Sequence, residues 1–198
     1  MIGIIDYGMG NIHSVKKALE FMGGAVEVTR DAERLGTFDK LILPGVGAFG
    51  DAMEELERSG LSQAISGAVS SGKVFLGICL GMHLLFESSE ESPGVRGLAI
   101  LKGSVKKFTG AGLKVPHMGW NTLRRENDCP LLKGISEAHV YFCHSFYPDA
   151  PKEYMAASTE YGLSFASVIW DRNVYACQFH PEKSQGAGLR MLQNFIAM

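Results

Sequence analysis

The sequence predicts an α/β fold with a mostly parallel central sheet, helices on both faces, and antiparallel strands added to the sheet. Two observations carry this. Within residues 1–86, short apolar runs alternate with stretches whose apolar residues recur at helical spacing, the pattern of strand–helix units that stack their strands in parallel. The runs are apolar throughout rather than alternating, as strands covered on both faces require. From about residue 99 to 177 the segments become short, β-rich and punctuated by Gly, Pro and Asn, with no convincing long helix.

Taken in order, residues 2–6 read as a buried strand and residues 7–11 as a Gly-rich turn. A helix follows over 12–22, with Ile12, Val15, Leu19 and Met22 on one stripe. Residues 25–29 form a second strand and 40–43 a third, stopped at Pro44. Residues 52–58 and 61–70 read as helical pieces broken at Gly60. Residues 74–78 are a fourth buried strand, with a helix over 80–86 behind it. After the β-rich second half, an apolar strand over 174–177 precedes a last helix over 185–197. No internal repeat, low-complexity tract or linker interrupts the 198 residues, so one domain spanning 1–198 is expected.

Composition narrows the function classes. A net charge of −2 without a Lys/Arg cluster gives no electrostatic footprint for nucleic acid. The short charge runs, Glu90-Glu91 and Arg124-Arg125-Glu126, read as solvated surface. The first residues lack the basic, apolar and small-residue order of a signal peptide, and no apolar run is long enough to span a bilayer. Cys79, Cys129, Cys143 and Cys177 show neither CxxC pairing nor zinc-like spacing with histidine. Reduced thiols, a cytoplasmic location, no membrane association and no metal or other cofactor are the expectations.

In open α/β sheets chemistry gathers at the carboxyl ends of strands, where Asp6, Pro44 and Cys79 fall. Cysteine is by default a small buried hydrophobe. Gly77-Ile78-Cys79-Leu80-Gly81 departs from that default, because G-x-C-x-G between a strand and a helix is the thiol counterpart of the G-x-S-x-G nucleophile elbow. The turn needs small residues on either side and sets the sulfur at a helix N-terminus, which favours thiolate. Such a nucleophile needs a base and an orienting group. Among six histidines, His180 alone has a carboxylate at fixed short spacing, in His180-Pro181-Glu182. His13 reads as surface; His117, His139 and His144 read as structural or lining residues. The N–H of Leu80 supplies one oxyanion donor, and the glycine-rich Pro44-Gly45-Val46-Gly47 supplies the second. Gly45 to Gly50 also spells G-x-G-x-x-G, but after the third strand and without an acidic ribose partner, so dinucleotide binding is disfavoured.

Pro44-Gly45-Val46-Gly47, Gly77-Ile78-Cys79-Leu80-Gly81 and His180-Pro181-Glu182 together resemble the class I (triad) glutamine amidotransferases, whose fold is flavodoxin-like. The resemblance implies that Cys79 attacks glutamine, His180 shuttles protons and Glu182 orients His180. Within that family, Asp6 to Asn11, Tyr141-Phe142 with His144-Ser145, His180 to Ser184, and above all Pro116-His117-Met118-Gly119-Trp120-Asn121 resemble the glutaminases that serve imidazole glycerol phosphate synthase in histidine biosynthesis. The resemblance implies a heterodimer with a (β/α)8-barrel cyclase that receives the ammonia. It places Gly47, Gly81, His83, Glu87, Ser145 and Phe146 around glutamine, with Val46, Gly47 and Leu80 at the oxyanion. Tyr141, Lys183, Pro116, His117, Met118, Trp120 and Asn121 would lie at the interface and ammonia exit. Alternatives stand beside these roles: Glu87 as a solvated helix residue, and the 116–121 segment as a turn with Trp120 as a core anchor. His83 stands where Gln is common and Phe146 where Tyr is frequent. Amidotransferases of anthranilate or pyridoxal phosphate synthesis are the alternative within the family, and a catalytically dead binding module the alternative outside it.

Overall fold

A computed structural model describes residues 1–110 and 112–198. The strands and helices, in chain order, are β1 (Ile2–Ile5), α1 (Ile12–Phe21), β2 (Val26–Thr29), β3 (Lys40–Gly45), α2 (Phe49–Arg58), α3 (Leu61–Ser70), β4 (Val74–Cys79), α4 (Leu80–His83), β5 (Ser88–Ser89), β6 (Ser104–Lys107), β7 (His117–Arg125), β8 (Glu137–His144), β9 (Phe146–Asp149), β10 (Met155–Glu160), β11 (Ser164–Asp171), β12 (Val174–Cys177) and α5 (Gln185–Ala197). Among the described residues nine strands form one sheet in the order β2-β1-β3-β4-β12-β11-β10-β7-β8, and β5-β6-β9 form a second.

The pairings divide the large sheet in two. β2, β1, β3, β4 and β12 run parallel, and from β12 outward every pairing is antiparallel. The parallel strands are covered on both faces because their residues alternate between two cores. Ile2, Ile4, Ile42, Leu76 and Ile78 pack with Val15 and Leu19 of α1 and with Met191, Leu192 and Phe195 of α5. Ile5, Leu41, Leu43 and Phe75 pack with Phe49, Met53 and Leu56 of α2 and Leu61 and Ile65 of α3.

Three boundaries differ by more than one residue from those expected of the sequence. β3 runs through Pro44 to Gly45. Its pairing with β1 ends at Ile42, so Pro44 has a paired neighbour only in β4, opposite Ile78, and its missing N–H breaks no bond toward β1. α2 starts at Phe49 rather than residue 52, because the Glu91 carboxylate and the Ser92 hydroxyl accept the N–H groups of Phe49 (2.9 Å) and Gly50 (3.0 Å). α4 is one turn, Leu80–His83, not a helix to residue 86.

One pairing positions the site. The sequence grouped residues up to 177 with the antiparallel addition, yet β12 lies parallel to β4 with Cys177 opposite Ile78. The chain segments that leave β4 at Cys79 and β12 at Cys177 therefore emerge side by side.

Candidate active site

Cys79 closes β4 in a conformation L-residues rarely take, φ 55° and ψ −111°. Backbone that tight explains the flanking glycines. A Cβ on Gly77 would stand 2.7 Å from the Gly81 carbonyl oxygen, and one on Gly81 would overlap the Leu43 carbonyl oxygen. Gly45 is confined in the same way: its Cβ would meet the Tyr7 hydroxyl at 2.5 Å and the Leu80 Cβ at 2.9 Å. The sulfur lies 4.0 Å from the Cys143 carbonyl oxygen. With α4 reduced to one turn, the dipole behind Cys79 is that of a single turn, so an imidazolium neighbour matters more to a thiolate here.

His180 is that neighbour. Its Nδ1 is 3.0 Å from Glu182 Oε1, which leaves Nε2 for the sulfur. The Glu182 side chain is 1% exposed, and its second oxygen has no partner among the described residues. Burial disfavours charge on His180, but hydrogen bonding and charge from Cys79 and Glu182 outweigh it and raise its pKa to about 10. The ring is also fixed through its backbone. His180 N–H donates to the Tyr141 carbonyl (3.0 Å), the Ser184 hydroxyl to the His180 carbonyl (2.7 Å), and Tyr141 N–H to the Ser184 hydroxyl (3.0 Å).

A cavity of about 360 Å³, in the range of small-molecule sites, opens over this pair. Cys79, His180, Val46, Gly47, Leu80, His83, Ser145, Phe146, Tyr141, Lys183 and Pro116 all line it. Gly47 sits at φ +108°, and a Cβ there would strike the Met9 methyl at 2.6 Å. His83 is buried; its pKa is pushed down to about 4 by burial, and its Nε2–H donates to Gln178 Oε1 at 2.7 Å. It is therefore neutral near pH 7.

Other expected residues lie elsewhere. Glu87 is exposed, lies past the end of α4, and its carboxylate accepts the Gly103 N–H at 2.9 Å; it does not line the cavity. Gly81 is packed beneath the turn and does not line the cavity; its role is to let β3 approach. The carboxylate that lines the cavity is Glu91, half of a charge run read as solvated surface. No local pattern marks it, because what brings it there is its bond to Phe49, 42 residues away in sequence. Met118 and Trp120 are 61% and 48% exposed, which rules out Trp120 as a core anchor, and residues 117–121 form a strand, not a turn. Across β7 and β8, Trp120 faces Tyr141 and Met118 faces Cys143, so an exposed apolar face runs up to the cavity mouth. His117 is buried on the opposite face and Asn121 is partly buried. His13 and His139 are exposed. Among the described residues no three His, Cys, Asp or Glu side chains converge as a metal-binding group, and no helix is long and apolar enough to cross a membrane.

The family model described as "Glutamine amidotransferase class-I" matches residues 3–198. The imidazole glycerol phosphate synthase subunit HisH of Caldanaerobacter subterraneus subsp. tengcongensis is 51% identical over 200 residues, covering 100% of this chain and 98% of that protein. The subunit of the same name from Methanocaldococcus jannaschii is 48% identical over 199 residues, covering 100% of both. Among solved structures, a crystal structure of a glutamine amidotransferase superposes with TM-score 0.78 at 20% identity, covering 100% of this chain and 99% of the other. The structure of PurLQS from Thermotoga maritima gives 0.79 at 19% identity, covering 99% and 96%. The solved structures bear on the fold, and the full-length matches in sequence on descent. With an elbow cysteine beside a carboxylate-held histidine, and a family match that runs almost end to end, the chain belongs to the class-I glutamine amidotransferases.

Proposed function

We propose that this chain is a single-domain, cytoplasmic glutaminase subunit that hydrolyses glutamine and passes the ammonia to a (β/α)8-barrel cyclase making imidazole glycerol phosphate and aminoimidazole carboxamide ribotide in histidine biosynthesis. The observation that carries it is the meeting of Cys79 and His180 in one cavity at the ends of adjacent parallel strands, with Glu182 buried behind His180 and bound to its Nδ1.

In this reading the Cys79 sulfur attacks the carboxamide carbon of glutamine. The oxyanion that forms takes N–H donors from Leu80 and from the Val46–Gly47 loop. His180, protonated and held by Glu182, gives its Nε2 proton to the departing ammonia and leaves a thioester. Water then attacks the thioester, His180 takes its proton, and glutamate leaves as the sulfur is restored. Glu91, in the cavity wall, suits the substrate's α-ammonium. His83, Ser145 and Phe146 contribute neutral walls, with polar groups that can accept or donate without adding charge. Tyr141, Lys183, Pro116 and the Met118–Trp120 face surround the mouth, where the cyclase would seat. Support for the partner comes from the names of the full-length relatives and from this exposed face.

In the complex with a cyclase, Cys79→Ala is expected to lower glutamine-dependent product formation by at least about a thousandfold. Cyclisation driven by added ammonium salt should stay within about twofold. Glutamine-dependent turnover that survives the substitution would overturn the assignment.

A further inference from the structure

Two buried histidines outside the Cys79–His180–Glu182 set are joined ring to ring, and one of them, His144, lines the cavity. His117 on β7 and His144 on β8 are cross-strand partners, 4% and 6% exposed, with His117 Nδ1 2.8 Å from His144 Nε2. The chain extends at both ends. His144 Nδ1 is 2.7 Å from the Phe146 carbonyl oxygen, and His117 Nε2 is 3.2 Å from Asn121 Nδ2.

The Phe146 carbonyl sets every proton along this line. A carbonyl only accepts, so His144 carries its hydrogen on Nδ1. Burial keeps both rings neutral, with pKa about 3 for His144 and about 4 for His117. His144 Nε2 is then bare and accepts from His117 Nδ1–H; His117 Nε2 is bare and accepts from Asn121. The Asn121 amide has that orientation for independent reasons, since its Nδ2 donates to the Glu160 carbonyl (3.0 Å) and its Oδ1 accepts the Thr122 N–H (2.7 Å). The line therefore runs one way, Asn121 to His117 to His144 to Phe146. Packing locks the His117 ring, which stacks on Tyr161 with centroids 3.9 Å apart and on Phe142 at 4.7 Å.

The two ends belong to different parts of the molecule. Asn121 sits on β7, the strand that exposes Met118 and Trp120. The Phe146 carbonyl follows Ser145 in the cavity wall; that segment is also tied by the Ser145 carbonyl to Phe108 N–H (3.1 Å), by the pairing of β9 with β6, and by packing of Phe146 against the core of α2 and α3. We propose that His117 is a positioning residue for the glutaminase: through His144 it fixes the Ser145–Phe146 wall of the glutamine cavity relative to strand β7 beneath the partner-facing surface. This rests on reading the cavity as the glutamine site.

Two isosteres separate positioning from packing. In His117→Gln the side-chain amide reaches the place of ring Nε2, keeping Asn121 and losing His144. In His117→Asn it reaches the place of Nδ1, keeping His144 and losing Asn121. In the complex with the cyclase, His117→Gln is expected to raise KM for glutamine roughly tenfold with kcat changed less than about threefold, as for a lost buried hydrogen bond that loosens the binding wall. His117→Asn should stay within about threefold in both constants, although each variant loses one buried bond and both melt earlier. Equal changes in KM, no change in either, or a loss carried by kcat alone would overturn the proposal. A parallel Cys79→Ala measurement keeps the two levels apart: if it spares glutamine turnover, the reading of the cavity fails, whereas if it abolishes turnover and the isosteres behave alike, only the positioning role fails. Should either isostere fail to fold, NMR of the unsubstituted chain with ring-15N histidine decides. Protons on Nδ1 of both rings are expected, and a proton on Nε2 of either would overturn the scheme.

Discussion

At the scale of single residues, chemistry was legible where it depends on neighbours in the chain, and illegible where it depends on contacts across it. Cys79 declares itself through Gly77 and Gly81, and His180 through Glu182 two positions on. Glu91 and Glu87 are four residues apart with the same side chain, and only tertiary bonds, to Phe49 and to Gly103, decide which one faces the cavity. The histidines make the same point. His83, His117 and His144 look alike in sequence to exposed His13, yet burial drops them to about 4, about 4 and about 3. A histidine whose folded pKa lies below its unfolded value near 6.5 is protonated first in the unfolded chain, so its contribution opposes folding as pH falls from about 6.5 toward 4. Urea midpoints are expected to fall steadily between pH 7 and pH 5, each histidine contributing up to about 1.4 kcal/mol per pH unit. Most carboxylates titrate below that window, so a flat profile across it would show that these rings are not buried neutral. His180 acts in the opposite direction. Its raised pKa stabilises the fold fully below about 6.5, and that contribution fades as pH rises toward about 10.

At the scale of elements, periodicity and turn glycines located α1, α3, β2, β12 and α5 within a residue or so, because each is bounded by its own local signals. α2 and β3 run past their local signals because their ends are set by partners: side chains of Glu91 and Ser92 for α2, and for β3 the pairing with β4, which continues to Gly45 after the pairing with β1 stops at Ile42. The elbow itself is an element-scale device, since it depends on how closely β3 approaches the turn after β4. Gly81→Ala is expected to destabilise the chain by roughly 3 kcal/mol or more, because the new methyl meets backbone rather than a side chain that can move. Gly67, exposed inside α3, is the counterpart, because a methyl added there would meet nothing within 4 Å. Gly67→Ala should stabilise by about 0.5–1 kcal/mol through helix propensity and lower unfolded-chain entropy. Thermal melting of both variants checks the pair, and similar shifts in the two would contradict this account of the turn.

At the scale of the whole molecule, the sheet is a parallel half that carries Cys79 at the end of β4 and an antiparallel half whose β8 supplies Tyr141, Cys143 and His144 to the cavity wall. β12 belongs to both: parallel to β4, it brings His180 beside Cys79, and antiparallel to β11, it continues the sheet toward β7 and β8. The sequence announced both halves but not this seam, because an apolar strand of four residues carries no mark of which neighbour it will pair with. The same architecture leaves Met118 and Trp120 exposed beside the cavity mouth, where ammonia would leave toward a partner. Cys143 also lines the cavity, so the identity of the nucleophile is the point on which everything else depends. A diazo-ketone analogue of glutamine, reacted with the chain in complex with its cyclase and mapped by mass spectrometry, reads that identity directly. One adduct per chain on Cys79, slowed by saturating glutamine and absent from Cys79→Ser, is the predicted result; an adduct on Cys143, or labelling of Cys79 that glutamine does not slow, would contradict it.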